Sequence, residues 1–122
     1  MDQRKKLQLK KLFKELEGFR ARHTELITVY IPSGYAITSV TQQLSQEQGT
    51  AENIKSKSTR KNVQSALEKM IRTLRTYKAT PHNGLAVFSG NVSPTEGGQD
   101  FRVFAIEPPS PINIKIYKCD QA

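Results

Sequence analysis

The sequence predicts an α+β domain of two layers, with helices packed on one face of a roughly four-stranded sheet in the order α-β-α-α-β-β-β. Three observations carry this. Helical periodicities flank an early β-branched run, one long amphipathic helix occupies the middle, and three short strand patterns fill the last third. The 122 residues suit one compact domain with a single modest core.

The first helix is expected over Lys5 to Phe19. Leu9, Leu12, Phe13, Leu16 and Phe19 fall at roughly helical spacing, Lys5, Lys6, Lys10, Lys11 and Lys14 lie mostly elsewhere, and regularity is lost near Gly18. Leu26 to Ile31 is β-branched and aromatic and is closed by Pro32-Ser33-Gly34, which predicts a buried strand. A second helix follows over Ala36 to Glu47, with Ile37, Val40 and Leu44 on one face and Gly49 as its C-terminal cap.

The third helix has the clearest pattern. Val63, Ala66, Leu67, Met70, Ile71, Leu74 and Tyr77 form one apolar stripe, and Ser58 or Thr59 is the expected N-cap. Pro81-His82-Asn83-Gly84 ends this half of the chain. Strands are then expected at Leu85 to Phe88, continuing to Gly90, at Phe101 to Ile106, and at Ile112 to Cys119. In the last of these, Ile112, Ile114 and Ile116 alternate with polar neighbours. That alternation puts Tyr117 and Cys119 on the face opposite the isoleucines.

The formal net charge is +8, and it is not spread evenly. Residues 53–78 carry eight basic side chains against Glu68 alone, a local net of +7, while residues 1–52 net +2 and residues 79–122 net −1. A basic patch this concentrated favours an anionic partner, with nucleic acid ahead of acidic membrane. Lys57, Arg60 and Lys61 are the candidate phosphate contacts. Arg72 and Arg75 fit either that role or a solvated helix face.

Cys119 is the only cysteine, so no internal disulfide can form, and no apolar run approaches the length of a membrane span. Cytoplasm is the expected compartment. His23 and His82 are isolated, and with one cysteine they make no zinc site. No phosphate-binding glycine loop and no nucleophile–base pair is visible, so no cofactor and no catalytic residue is assigned.

Between the second and third helices lies the polar segment Gly49 to Ser58. Its Asn, Lys, Ser and Thr side chains offer donors and acceptors for the edges of unstacked RNA bases, beside a helix N-terminus whose dipole favours phosphate. The same residues also suit a simple inter-helix turn, with Asn53 and Ser56 bonded to backbone and the lysines solvated.

The string Thr50-Ala51-Glu52-Asn53-Ile54-Lys55-Ser56 resembles the TASNIKS element of archaeal and eukaryotic class I peptide chain release factors, departing from it at Glu52. Tyr117-Lys118-Cys119 resembles the start of a second family element, YxCxxxF, whose Phe would fall just past Ala122. The interval between the two, Pro81 to Leu85, and Pro111-Ile112-Asn113 are similar as well, so the resemblance covers about residues 7–122.

The resemblance implies an N-terminal decoding domain, residues 1–122, of a longer factor whose middle and C-terminal domains are absent. Such a domain enters the small-subunit decoding site, contacts ribosomal RNA and recognises the three stop codons of mRNA. By position, Asn53 and Lys55 would contact the first uridine, with Ile54 between them in the codon-binding loop, Thr50 and Ser56 would help shape the pocket, and Glu47, with Tyr117 and Cys119, would bear on the following purines. Uridine presents an O4 acceptor and an N3–H donor, which suit a Lys donor and an Asn amide. A carboxylate at Glu47 would favour an adenine amino group over a guanine carbonyl, and Tyr117 could stack.

In the full factor a translational GTPase would be a partner. The chain is expected to be monomeric, without membrane contact, and not itself an enzyme. Two other readings stay open: a generic RNA-binding module without stop specificity, and a small hydrolase using Gly97-Gly98-Gln99. That tripeptide matches the family's hydrolytic motif, but the family carries it in the middle domain, and here two glycines suit a turn between strands.

Overall fold

The computed structural model describes residues 3–21, 25–95 and 97–120. His23 and Ala122 lie outside the described residues. The elements are α1 (Gln3–Ala21), β1 (Leu26–Ile31), α2 (Ile37–Thr50), a 3-10 turn (Ala51–Asn53), α3 (Lys57–Leu74), β2 (Leu85–Asn91), β3 (Phe101–Ile106) and β4 (Ile116–Asp120). The α+β class and the element order are as expected.

The four strands form one antiparallel sheet in the order β3-β2-β1-β4. The apolar stripe of α3 is buried as its spacing requires: Val63, Ala66, Leu67, Met70, Ile71 and Leu74 all pack inward. They meet Ile37, Val40 and Leu44 of α2 and Ile27, Val29, Ile31, Leu85 and Val87 of the sheet in one core cluster. Thus α2 and α3 make the helical layer on one sheet face. Residues of α1 add to the other face, where Leu16 and Phe19 pack with Leu26, Val92 and Phe104. Period-2 alternation explains the division, because Leu26 points away from Ile27 and Val29.

Several expected boundaries are corrected. Helix α2 does not stop at Gly49. It runs through Gly49 to Thr50 and tightens into the 3-10 turn, and Gly49 is not among the positive-φ glycines. A glycine inside a helix costs only about 1 kcal/mol, and burial of Ala51 at 5% exposure helps carry the chain inward past it. The N-cap of α3 is Ser56 rather than Ser58 or Thr59, since Ser56 Oγ accepts from Thr59 N at 3.3 Å, the N-cap to N3 spacing. Phe13 is not buried in α1: it is 52% exposed and, with Leu16, borders an open cavity over Leu26, Tyr30 and Phe88.

The last strand is also shorter than expected. Ile112 bonds to Asn83 O and to Ser33 N as a bridge between two turns, Ile114 is 65% exposed, and the ladder begins only at Ile116. The isoleucine alternation therefore says nothing about sheet faces. Tyr117 and Cys119 stand opposite Val29 and Ile27 and pack against the main core, on the face covered by α2 and α3.

Candidate nucleic-acid interface

The segment between α2 and α3 is held in a defined shape by its own backbone and by α3. Ile54 N donates to Ala51 O at 3.1 Å, closing the 3-10 turn, and the Ile54 side chain is partly buried against the core. Ser56 Oγ is committed to the α3 N-terminus, and Arg60 N donates to Ser56 O at 2.9 Å. Arg60 Nη1 donates to Ile54 O at 3.2 Å, so this guanidinium turns back onto the loop. Thr50 Oγ1 donates to Gln46 O at 3.1 Å, within its own helix.

Asn53 and Lys55 are different. Both are exposed, and neither side chain makes a hydrogen bond among the described residues. They flank an inward-facing Ile54, so the alternation in–out is imposed by one apolar anchor. Lys57 and Lys61, one turn apart at the start of α3, are exposed as well.

A polar zipper joins the neighbouring helix surfaces. Gln48 Nε2 donates to Gln64 O at 3.2 Å and to Glu68 Oε2 at 3.3 Å, and Gln64 Nε2 donates to Glu52 Oε1 at 2.8 Å. The Gln48 amide and then Arg72 hold the Glu68 carboxyl below its usual range. Arg72 pairs with Glu68 at 3.1 Å, whereas the sequence offered it as a possible phosphate contact. Gln48, Gln64 and the Glu68–Arg72 pair carried no sequence motif, and only the i, i+4 spacing of 60, 64, 68 and 72 hinted at one stripe.

Glu47, Tyr117 and Cys119 come together where β4 meets α2. Lys115 donates to Gln43 of α2, and one turn further along α2 Glu47 faces Tyr117 electrostatically. A helical turn of four residues advances about 6 Å and two strand residues about 6.6 Å. The pairs 43–115 and 47–117 are thus in step along α2 and β4. Burial pushes the Tyr117 hydroxyl well above the ordinary tyrosine range, with the Cys119 thiol and the Glu47 carboxylate adding to it. The hydroxyl proton that any tyrosine holds at ordinary pH is thus kept further into the alkaline range.

Gly97 and Gly98 lie in the β2–β3 connection, away from this arrangement in the chain. Gly97 has φ +76°, Gly98 N donates to Thr95 O at 2.9 Å, and Asn91 organises the loop by accepting from Ser93 N and Asp100 N and donating to Gly98 O.

The sequence and the fold both match known proteins. A family model described as eRF1 domain 1 matches residues 4–122. The chain belongs to that family. It is 57% identical over 114 residues to peptide chain release factor subunit 1 of Thermococcus kodakarensis, covering 93% of this chain and 28% of that protein. It is 46% identical over 112 residues to the protein of the same name from Methanocaldococcus jannaschii, covering 91% and 27%. Among solved structures, it resembles a crystal structure of an archaeal translation termination factor, aRF1, with a TM-score of 0.80 and 33% identity, covering 95% of this chain and 31% of that one. The chain thus spans under a third of the length of these relatives.

Among the described residues no group of three or more His, Cys, Asp or Glu side chains could hold a metal ion. Among the same residues no helix is long and apolar enough to cross a membrane.

Proposed function

We propose that this chain is the N-terminal decoding domain of a release factor and that it reads stop codons in the ribosomal decoding site during translation termination. One observation carries the reading: Asn53 and Lys55 are exposed and unbonded on a loop whose remaining groups are committed to holding it in place. Binding groups held free on a rigid support lose little entropy when they engage a ligand. Asn53 and Lys55 contact the first uridine, Ile54 anchors the loop between them, and Thr50 and Ser56 shape its two ends. Glu47, Tyr117 and Cys119 address the following purines from the adjoining surface, with the protonated Tyr117 hydroxyl as a donor. Lys57 and Lys61 neutralise RNA phosphates, and Arg60, bonded to Ile54 O, has donors left for the same purpose.

In this reading the domain is not an enzyme. Peptidyl-tRNA hydrolysis belongs to a middle domain, a translational GTPase is recruited by a C-terminal one, and the factor acts as a monomer in the cytoplasm.

A chimera tests this directly. The chain replaces the matching 114 residues of the Thermococcus kodakarensis relative, and peptide release is measured in a reconstituted termination reaction. Release is expected on stop codons and not on sense codons. Lys55→Ala and Asn53→Ala should each lower stop-dependent release by about 10-fold or more with unchanged thermal stability. Undiminished release by both variants would instead favour a generic RNA-binding module.

A further inference from the structure

Glu52 occupies the one position where the loop departs from the motif it resembles, and its carboxylate is in use. Gln64 Nε2 donates to Glu52 Oε1 at 2.8 Å and also reaches Gln48 O at 3.5 Å. In return Gln48 Nε2 donates to Gln64 O at 3.2 Å. A single α3 side chain therefore grips both the last turn of α2 and the 3-10 turn that follows it. Glu52 is the residue directly before Asn53, and the 3-10 turn closes through Ile54 N to Ala51 O. Tying the Glu52 side chain to α3 fixes the rotation of that turn, and hence the direction in which Asn53 leaves it.

We infer that Glu52 and Gln64 form a bracket that positions the Asn53–Ser56 loop, and that they are positioning residues for codon reading rather than codon contacts. The inference rests on the decoding function proposed above. The Glu52–Gln64 bond is solvent-exposed, so it adds little to global stability, yet it spans two elements at the point where they must be held in register. A purely structural bond would be felt throughout α3. A positioning bond is felt at the loop.

Two measurements separate these. In the first, amide hydrogen exchange is followed on the 122-residue chain. Glu52→Ser and Gln64→Leu should each speed exchange of the Ile54 amide by about three- to tenfold, with the Leu67 amide in the α3 core unchanged. Glu52→Gln keeps a side-chain oxygen to accept the bond and should behave as the wild type, which separates hydrogen bonding from charge. Unchanged Ile54 exchange in both disruptive variants, or an equal rise at Leu67, overturns the proposal.

In the second, the same variants are placed in the chimera. The factor concentration giving half-maximal release on stop codons should rise by a similar factor while the maximal rate holds, and Glu52→Gln should restore it. A wild-type chimera without stop dependence would sink the decoding function, and the exchange experiment would still decide the bracket. A working chimera indifferent to Glu52→Ser and Gln64→Leu would sink the inference alone.

Discussion

Val29 stands directly opposite Tyr117 in the antiparallel pairing of β1 with β4. Residues paired across an antiparallel ladder share a face, so the 1% exposed Val29 dictates that Tyr117 points toward the helices. This places the tyrosine against Glu47 and Cys119 rather than on an open sheet surface.

A pH dependence follows from that burial. The Tyr117 hydroxyl titrates above its unfolded value of about 10 because burial and its two neighbours disfavour the phenolate. The folded state then keeps a proton that the unfolded state loses. The associated stability is fully present below that unfolded value and is lost as pH rises toward the folded one. Alkaline denaturation followed by circular dichroism should therefore show wild type losing stability faster than Tyr117→Phe above about pH 10. Parallel curves would contradict the assignment.

Lys57 and Lys61 are exposed cations one turn apart, which is the arrangement of a backbone-tracking pair. Replacing both by Gln should reduce the salt dependence of binding to a single-stranded RNA by about 0.7 log unit per log of salt for each lysine. Codon preference in the chimera should be unaffected. An unaltered salt slope would mean that both lysines are merely solvated.

Gly84 is needed for its backbone. It has φ +86°, and a Cβ there would lie 2.3 Å from Ile31 O and 3.1 Å from Ser33 N. Gly84→Ala should therefore destabilise the domain by about 2–4 kcal/mol, read as a lower urea midpoint at constant slope. A change below about 0.5 kcal/mol would show that the turn can relax.

Gln99 tests the resemblance to a hydrolytic tripeptide. It is exposed beside Gly97 and Gly98, in a loop built around Asn91. Gln99→Ala in the chimera should leave stop-dependent release within about twofold of wild type, in keeping with the small effect of most surface substitutions. A large loss would return the tripeptide to a functional role.

Much of the fold was legible because its strongest signals are periodic and local. The α3 stripe, the β-branched run of β1 and the turn residues around Gly84 each specify their element within a short window. The loop at Asn53–Ser56 is legible as a motif, although on physical grounds alone the same residues read first as a turn. In the structure Ser56 caps a helix, and among the described residues the side chains of Asn53 and Lys55 make no hydrogen bond.

The misread places share one cause. Gly49 predicts the end of α2 because glycine is a poor helix residue, yet the helix runs on to Thr50 and Ala51 is buried just beyond it. The alternation of Ile112 and Ile114 predicts a polar face for Tyr117 and Cys119, yet those isoleucines lie outside the ladder. The Gln64–Glu52 bond joins residues twelve apart through two helix surfaces, with no periodic trace.

The sequence by itself determined the element order, the main buried stripe, the concentration of positive charge and the family resemblance. Only the tertiary structure decided which sheet face Tyr117 takes, which helix face α1 buries, and how the loop is held. The physical reason is range. Propensity and periodicity act within a few residues, whereas strand register and side-chain bonds between elements are set by which surfaces meet, and that is settled only when the whole core packs.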